Sequence, residues 1–397
     1  MEGKTVMRAK LVQWLQNATT FAVSLMLCFL VLEFLVFRLF LLPDDVLPNV
    51  SINNVVRYMP RTDAVFRHPD GRSTAVHINA EGWNSLRAEY PLRKAPGTLR
   101  IAVVGDSYVH GAFIDTRHGF PEVIERELSA GGRKVEVLRF GMDGAPLSQY
   151  LHMLRQEVLR FKPDLVVVQL IHNDFDESYR LLHNRTGSSF MKLKRTENGE
   201  IVEIAPVDFK PGLADVLRNS ATFRYLYYET NAYLTFKHLI SKVYWGGSEE
   251  WKPEFISSAV DIRNIRDHDS NKLFAGYVMR EMKRLVEREG AKLAFAMDGV
   301  REAIYAGKPV ASYEVGQLNR IAAELAKEHD LPFLDLQSAF EQDWMQHRQR
   351  FEYTYDWHWN ERGNAIVGKA IARFLGSDPR LLGRTVAIET PAAPLPR

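Results

Sequence analysis

Short apolar runs alternate with longer amphipathic ones through most of this chain, and that alternation leaves few folds open. Leu99 to Val104, Val135 to Phe140, Asp164 to Leu170, Lys292 to Met297 and Pro332 to Leu336 read as strands. Apolar residues at helical spacing lie between and after them. They are Phe120, Val123, Ile124 and Leu128, then the stretches Leu147 to Phe161, Tyr313 to Lys327 and Glu361 to Leu375. A strand that is apolar on both faces needs cover on both sides, and helical crossovers supply it. The expectation is an α/β fold, a parallel sheet between helical layers with right-handed crossovers. In such sheets functional residues gather beyond the carboxyl ends of the strands.

Four stretches fall outside the repeat. About 120 residues separate the third strand from the fourth, where a crossover needs about a dozen, so an inserted subdomain is expected over 176–270. It carries an Asn198-Gly199 hairpin signal and an aromatic run from Phe223 to Trp245, whose helical spacing favours ordinary packing over a sugar platform or a membrane contact. Residues 43–97 read as a β-rich lead-in, with turns at Asp70-Gly71 and Glu81-Gly82. The α/β domain is bounded at 98–375, and the Pro-rich tail 376–397 reads as loose.

At the other end, Ala18 to Leu42 is apolar and, at 1.5 Å per residue, long enough to cross a hydrocarbon layer of ~30 Å. Glu33 and Arg38 interrupt it, and a span shifted toward Leu11 would leave both at the outer interface. Lys4, Arg8 and Lys10 precede the run and Asp44 and Asp45 follow it. By the positive-inside rule residues 1–17 are cytoplasmic, 18–42 form a single-pass anchor in the inner membrane, and the rest lies on the periplasmic side. No small-x-small cleavage site follows, so an uncleaved anchor is expected over a signal peptide.

Composition narrows the chemistry. A net charge of +2 with 25% charged residues gives no footprint for nucleic acid. The only cysteine, Cys28, sits in the apolar run, so the remainder forms neither an internal disulfide nor a thiolate metal site. Oxygen and nitrogen groups must do the work, and no cofactor is called for.

Four segments stand at strand ends or before the last helix: Gly105-Asp106-Ser107, Gly141-Met142-Asp143-Gly144, His172-Asn173-Asp174, and Asp356-Trp357-His358-Trp359-Asn360. Singly each is an ordinary turn or cap. Together they offer what attack by a serine needs: a nucleophile in Ser107, a base in His358, a carboxylate in Asp356 to fix its tautomer, and oxyanion donors at Ser107, Gly144 and Asn173. In an extended loop residues i and i+2 share a face, which would set Asp356 beside His358.

These four segments, in this order, resemble the four blocks of the SGNH or GDSL-type hydrolases. The resemblance covers about residues 98–375, and INAEGWNSLRAEYP ahead of it is similar to the lead-in of bacterial members. It implies a flavodoxin-like three-layer α/β/α sandwich and esterase, lipase or acyl-transfer activity on acylated carbohydrates or lipids. Ser107 matches the family nucleophile, Gly144 and Asn173 its oxyanion pair, and Asp356 with His358 its last block. The chain departs where Ile171 replaces a glycine before Asn173, and where Tyr355, not an aspartate, stands three residues before His358.

The leading expectation is therefore a serine esterase or acyltransferase acting on O-acyl groups, O-acetyl foremost, of cell-envelope glycans, with envelope-assembly proteins as further partners. Two alternatives stand beside it. One is a metal-dependent phosphoesterase using Asp106, His110, Asn173, Asp174, Asp356 and His358, although no compact ligand pair lies near the first strand. The other is a tethered glycan-binding or assembly protein without turnover. His110 and His172 read as structural or substrate contacts rather than the base, one of Trp357 and Trp359 is expected in the core, and Asp106 and Asp174 are expected to bond local backbone.

Overall fold

The computed structural model describes residues 2–180, 185–226, 264–354 and 356–382. Beyond Leu226 the aromatic run lies outside the described residues, as do Tyr355 and the tail past Leu382. The chain divides into two compact units, one of Met1–Val46 with Pro211–Trp251, the other of Leu47–Lys210 with Lys252–Arg397.

The larger unit begins with two antiparallel hairpins. β1 (Asn49–Ile52) pairs with β2 (Val55–Tyr58), and β3 (Asp63–Arg67) pairs with β4 (Ser73–His77) across the Asp70-Gly71 turn. Then come β5 (Leu99–Gly105), β6 (Val135–Gly141) and β7 (Leu165–Leu170). A third hairpin, β8 (Lys192–Arg195) with β9 (Ile201–Ile204), turns at Asn198-Gly199. β10 (Lys292–Met297) and β11 (Phe333–Asp335) complete the set.

The central sheet runs β6-β5-β7-β10-β11, all parallel. Counted within the sheet the order is 2-1-3-4-5, the flavodoxin-like order, and its direction reverses at β5 and β7. Alternate residues serve opposite faces. Ile101 and Val103 join Phe120, Ile124, Leu128, Val367 and Ile371 in one buried cluster. Ala102 and Val104 join Leu151, Leu154, Val278, Met282, Leu318 and Leu325 in the other. Each fully buried side chain of this size contributes about 1.5–3 kcal/mol, so the two clusters fix the three layers.

The β-rich lead-in packs into the second cluster. Val55, Tyr58, Trp83 and Tyr90 are buried there, and the Trp83 and Tyr90 rings meet Phe140 edge-on, each at 5.6 Å. Packing against β6 cannot be read from local pattern, since the partners lie some 50 residues apart (|i−j| = 49 for the Tyr90–Arg139 bond). The helix expected over Leu147 to Phe161 ends at Gln156 and continues as a 3-10 turn, Val158–Phe161. At the break, Glu157 leaves helical geometry (φ −128°) and forms a buried ion pair with Arg57 at 2.7 Å.

The last helix, Glu361–Ser377, is capped by Asn360, whose side chain accepts from the Gly363 N–H at 3.0 Å. It lies against helix Phe120–Ser129 so closely that a Cβ at Gly368 would stand 2.4 Å from the Val123 Cβ. That contact brings the loop before the helix back to the β5 end of the sheet.

In the smaller unit, helix Glu2–Val31 passes into a wider π-helical stretch, Leu32–Phe40. Lys10–Phe40 is long and apolar enough to cross a membrane, a test of length and composition that a signal sequence also passes. Helices Leu213–Leu217 and Ala221–Arg224 belong to the same unit.

Candidate active site

Loops following β5, β6, β7 and β10 open on the carboxyl edge of the sheet. Ser107 begins a single helical turn, Ser107–His110, directly after β5, and Asp106 caps it by accepting from the Tyr108 N–H at 2.9 Å. The turn fits because β6 ends in a glycine: a Cβ at Gly141 would stand 2.2 Å from the His110 backbone nitrogen.

Three of the residues singled out in the sequence meet in one chain of hydrogen bonds. His358 Nε2 lies 2.7 Å from Ser107 Oγ, and His358 Nδ1 lies 2.6 Å from Asp356 Oδ1. The same Asp356 oxygen accepts the backbone N–H of His358 at 2.7 Å, a local closure beyond the side-by-side placement expected of an extended loop. With Nδ1 donating to the carboxylate, the imidazole presents Nε2 as an acceptor to the serine. Burial works against a charge on His358, but the hydrogen bond and charge of Asp356, with Asp106 and Asp143, outweigh it and raise its pKa above the ordinary value.

The other two are not drawn into that chain. Gly144 follows β6 with φ +66°. Asn173 follows β7, and its side-chain amide donates to Glu177 Oε2 at 3.2 Å. Burial and the neighbouring Asp176 raise the Glu177 carboxyl to about 7.

Beneath these loops sit two buried acids. Asp174 accepts from the Ile171 N–H and the Tyr150 hydroxyl, each at 2.7 Å. Burial raises Asp106 to about 7, and burial beside Asp106 raises Asp174 as well. His172 is buried against Asn319 at 2.8 Å, and His110 pairs with Asp143 at 2.7 Å. Of the six residues of the metal reading, Asp356 and His358 bond each other, while Asp106, His110, Asn173 and Asp174 each bond other partners. No group of three or more His, Cys, Asp or Glu is set to hold a metal ion among the described residues.

Sequence reasoning missed the support for His358. Arg301, fully buried, donates to the Trp357 carbonyl at 2.6 Å and to the Tyr108 hydroxyl at 2.8 Å. Tyr108 in turn donates to the same carbonyl at 3.0 Å. Asp298 meets Arg301 at 3.3 Å and accepts the Trp359 indole N–H at 3.2 Å. Both backbone neighbours of His358 are thereby held from below. A signal existed: Met297-Asp298-Gly299 follows the fourth strand as Gly105-Asp106-Ser107 follows the first. Trp359 is buried among Tyr108, Phe120 and Phe340, and Trp357 is half-buried. Phe113 stacks on the His358 ring at 5.0 Å. A narrow cleft beside Ser107 and His358 is walled by Tyr108, Gly111, Phe113, Ile114, Trp359 and Asn364.

A serine, a histidine and a carboxylate thus stand in series at the switch point of a 2-1-3-4-5 sheet, the edge where ligands of such sheets bind. Residues 101–210 match the family model of the GDSL-like Lipase/Acylhydrolase. No curated protein matches the chain. Among solved structures it is similar to an acetyl xylan esterase, at 16% identity and a TM-score of 0.37, over 68% of this chain and 97% of that one. It is also similar to a two-domain esterase active on acetylated mannans, at 13% identity and 0.37, over 70% of this chain and 49% of that one. A third is a lipase from a goat rumen metagenome, at 11% identity and 0.39, over 70% and 97%.

Proposed function

We propose that this protein cleaves or transfers O-acyl groups, acetyl foremost, on cell-envelope glycans, using Ser107 as nucleophile, His358 as base and Asp356 as its orienting carboxylate. The observation that carries the reading is the unbroken series Asp356–His358–Ser107, with contacts of 2.6 and 2.7 Å. Ser107 Oγ attacks the ester carbonyl as its proton passes to His358 Nε2, and Asp356 stabilises the imidazolium. Collapse of the tetrahedral species expels the alcohol, which takes that proton, and leaves an acyl-enzyme. Water or an acceptor hydroxyl then gives its proton to His358 and attacks in turn, releasing the acyl group.

The oxyanion is received by backbone N–H groups at Ser107 and Gly144 and by Asn173. An amide nitrogen carries two hydrogens, so with one on Glu177 the other is free for the substrate. The narrow cleft walled by Phe113, Ile114 and Trp359 favours a small acyl group. The glycan rests on location: the basic residues before the apolar helix and Asp44 and Asp45 after it orient the domain outward from the inner membrane.

The test uses the full-length chain in detergent with a fluorophosphonate probe and p-nitrophenyl acetate. Labelling and turnover are expected, and both are expected to vanish in Ser107→Ala. Either one surviving that substitution overturns the serine mechanism.

A further inference from the structure

Glu33 and Arg38 interrupt an apolar helix, and the structure shows what the glutamate does. Its Oε2 accepts from the Ser220 hydroxyl at 2.7 Å and the Thr222 N–H at 2.9 Å, and its Oε1 accepts from the Ala221 N–H at 2.9 Å. Arg38 adds a bond at 3.0 Å. The start of helix Ala221–Arg224 is thus held by a carboxylate on the apolar helix. A second tie lies close by, where Phe37 stacks on Tyr225 at 4.5 Å. Such a carboxylate and its three donors cannot sit in hydrocarbon at low cost.

The polar contact therefore marks where the hydrocarbon ends. Leu11 to Leu32 covers about 33 Å at 1.5 Å per residue, enough for a core of ~30 Å. Trp14, 65% exposed, then falls near the inner boundary, where such rings gather. Glu33 falls at the outer boundary, and Phe34, Leu35, Leu39 and Phe40, all exposed, continue into the interfacial layer. Just ahead of the clamped turn, helix Leu213–Leu217 exposes Leu213, Val216 and Leu217, at 76%, 61% and 42%. Their i, i+3, i+4 spacing puts them on one face.

We infer that residues 211–226 form a membrane-interfacial element, clamped to the anchor at Glu33, with Leu213, Val216 and Leu217 seated in the outer headgroup and acyl boundary of the bilayer. The inference rests on the anchor reading above, and the clamp argues for an uncleaved helix, because cleavage after the apolar run would remove the partner of residues 220–222.

The test places single cysteines in the full-length chain, on a Cys28→Ala background, at Val216 or at Leu25 in the middle of the helix. Each carries an environment-sensitive dye, and the protein is held in vesicles of phosphatidylethanolamine and phosphatidylglycerol. Lipid nitroxides near the headgroup are expected to quench the Val216→Cys label at least about threefold more than a dye adduct free in buffer. Nitroxides deep in the acyl region are expected to quench the Leu25→Cys label. Deep quenching at residue 25 with buffer-like behaviour at 216 overturns the inference and leaves the anchor standing. No quenching at residue 25 brings down the anchor and the inference together. Glu33→Ala is expected to lower the residue 216 signal at least about twofold while residue 25 is unchanged, and an unchanged 216 signal removes Glu33 as the clamp.

Discussion

Two histidine–carboxylate pairs stand on the same edge of the sheet. His358 meets Asp356 at 2.6 Å and His110 meets Asp143 at 2.7 Å, and both rings are buried. What separates them is the rest of each ring. His358 turns its free nitrogen to Ser107. His110 has its Nδ1 shared between Asp143 and the Tyr58 hydroxyl, 2.9 Å away, with the Tyr58 ring stacked on it at 4.3 Å. Its Nε2 is buried without a hydrogen-bond partner among the described residues. A paired carboxylate fixes the orientation of a histidine ring, but only a proton donor at the remaining nitrogen makes it a base in a reaction.

The sharpest way to break this comparison is to neutralise each carboxylate in turn. Asp356→Asn is expected to lower kcat about 10³- to 10⁴-fold with the fold intact, because the imidazole loses its tautomer. Asp143→Asn is expected to change kcat by less than about fivefold. Steady-state kinetics with circular dichroism reads both, and equal losses would make the two pairs one machine.

Next in size is Arg301, a positioning residue that acts through Trp357. Arg301→Lys keeps the charge but loses the fork, so kcat is expected to fall about 10- to 100-fold with KM unchanged. Normal kcat per folded molecule with a lower melting temperature would reduce it to a structural brace.

The pH profile sharpens the comparison further. Only the neutral imidazole accepts the serine proton, so kcat/KM should rise with pH. Its acid limb should be centred above the ordinary histidine value of about 6.5, because His358 is raised. Asp143 is one of the charges that raises it, so Asp143→Asn should move the limb toward lower pH by about a few tenths of a unit. A limb that stays in place would mean the two pairs are electrically independent.

The smallest effect belongs to Tyr58→Phe. It deletes a hydroxyl that meets His110 and accepts the Asp143 N–H at 3.2 Å. About 1 kcal/mol of stability should be lost in urea denaturation, with kcat within about twofold of the parent, and a large activity loss would recast His110 as part of the reaction.

The sheet and the residues of the series were legible for a shared reason: period and position are local. Five apolar runs gave five strands, Ser107 and Asn173 stand just past two of them, and Asp356 and His358 stand just before the last helix. What stayed hidden depends on contacts distant in sequence. Nothing local marks Arg301, whose partner, the Trp357 carbonyl, lies 56 positions away. Trp83 and Tyr90 find their place against Phe140, a residue of β6. Glu33 reads as a flaw in an apolar run until residues 220–222 arrive to donate to it. The helix break at Glu157 was hidden likewise, since its buried partner Arg57 comes from the lead-in.

Ser107 and His358 are separated by 251 positions, and the Tyr108 hydroxyl joins their two loops through the Trp357 carbonyl. Chains emerge from synthesis with their amino-terminal parts first. The nucleophile's turn can therefore form while the segment that activates it has yet to appear, and an immature chain carries an inert serine. Under the proposed mechanism, reactivity switches on only when the last helix docks.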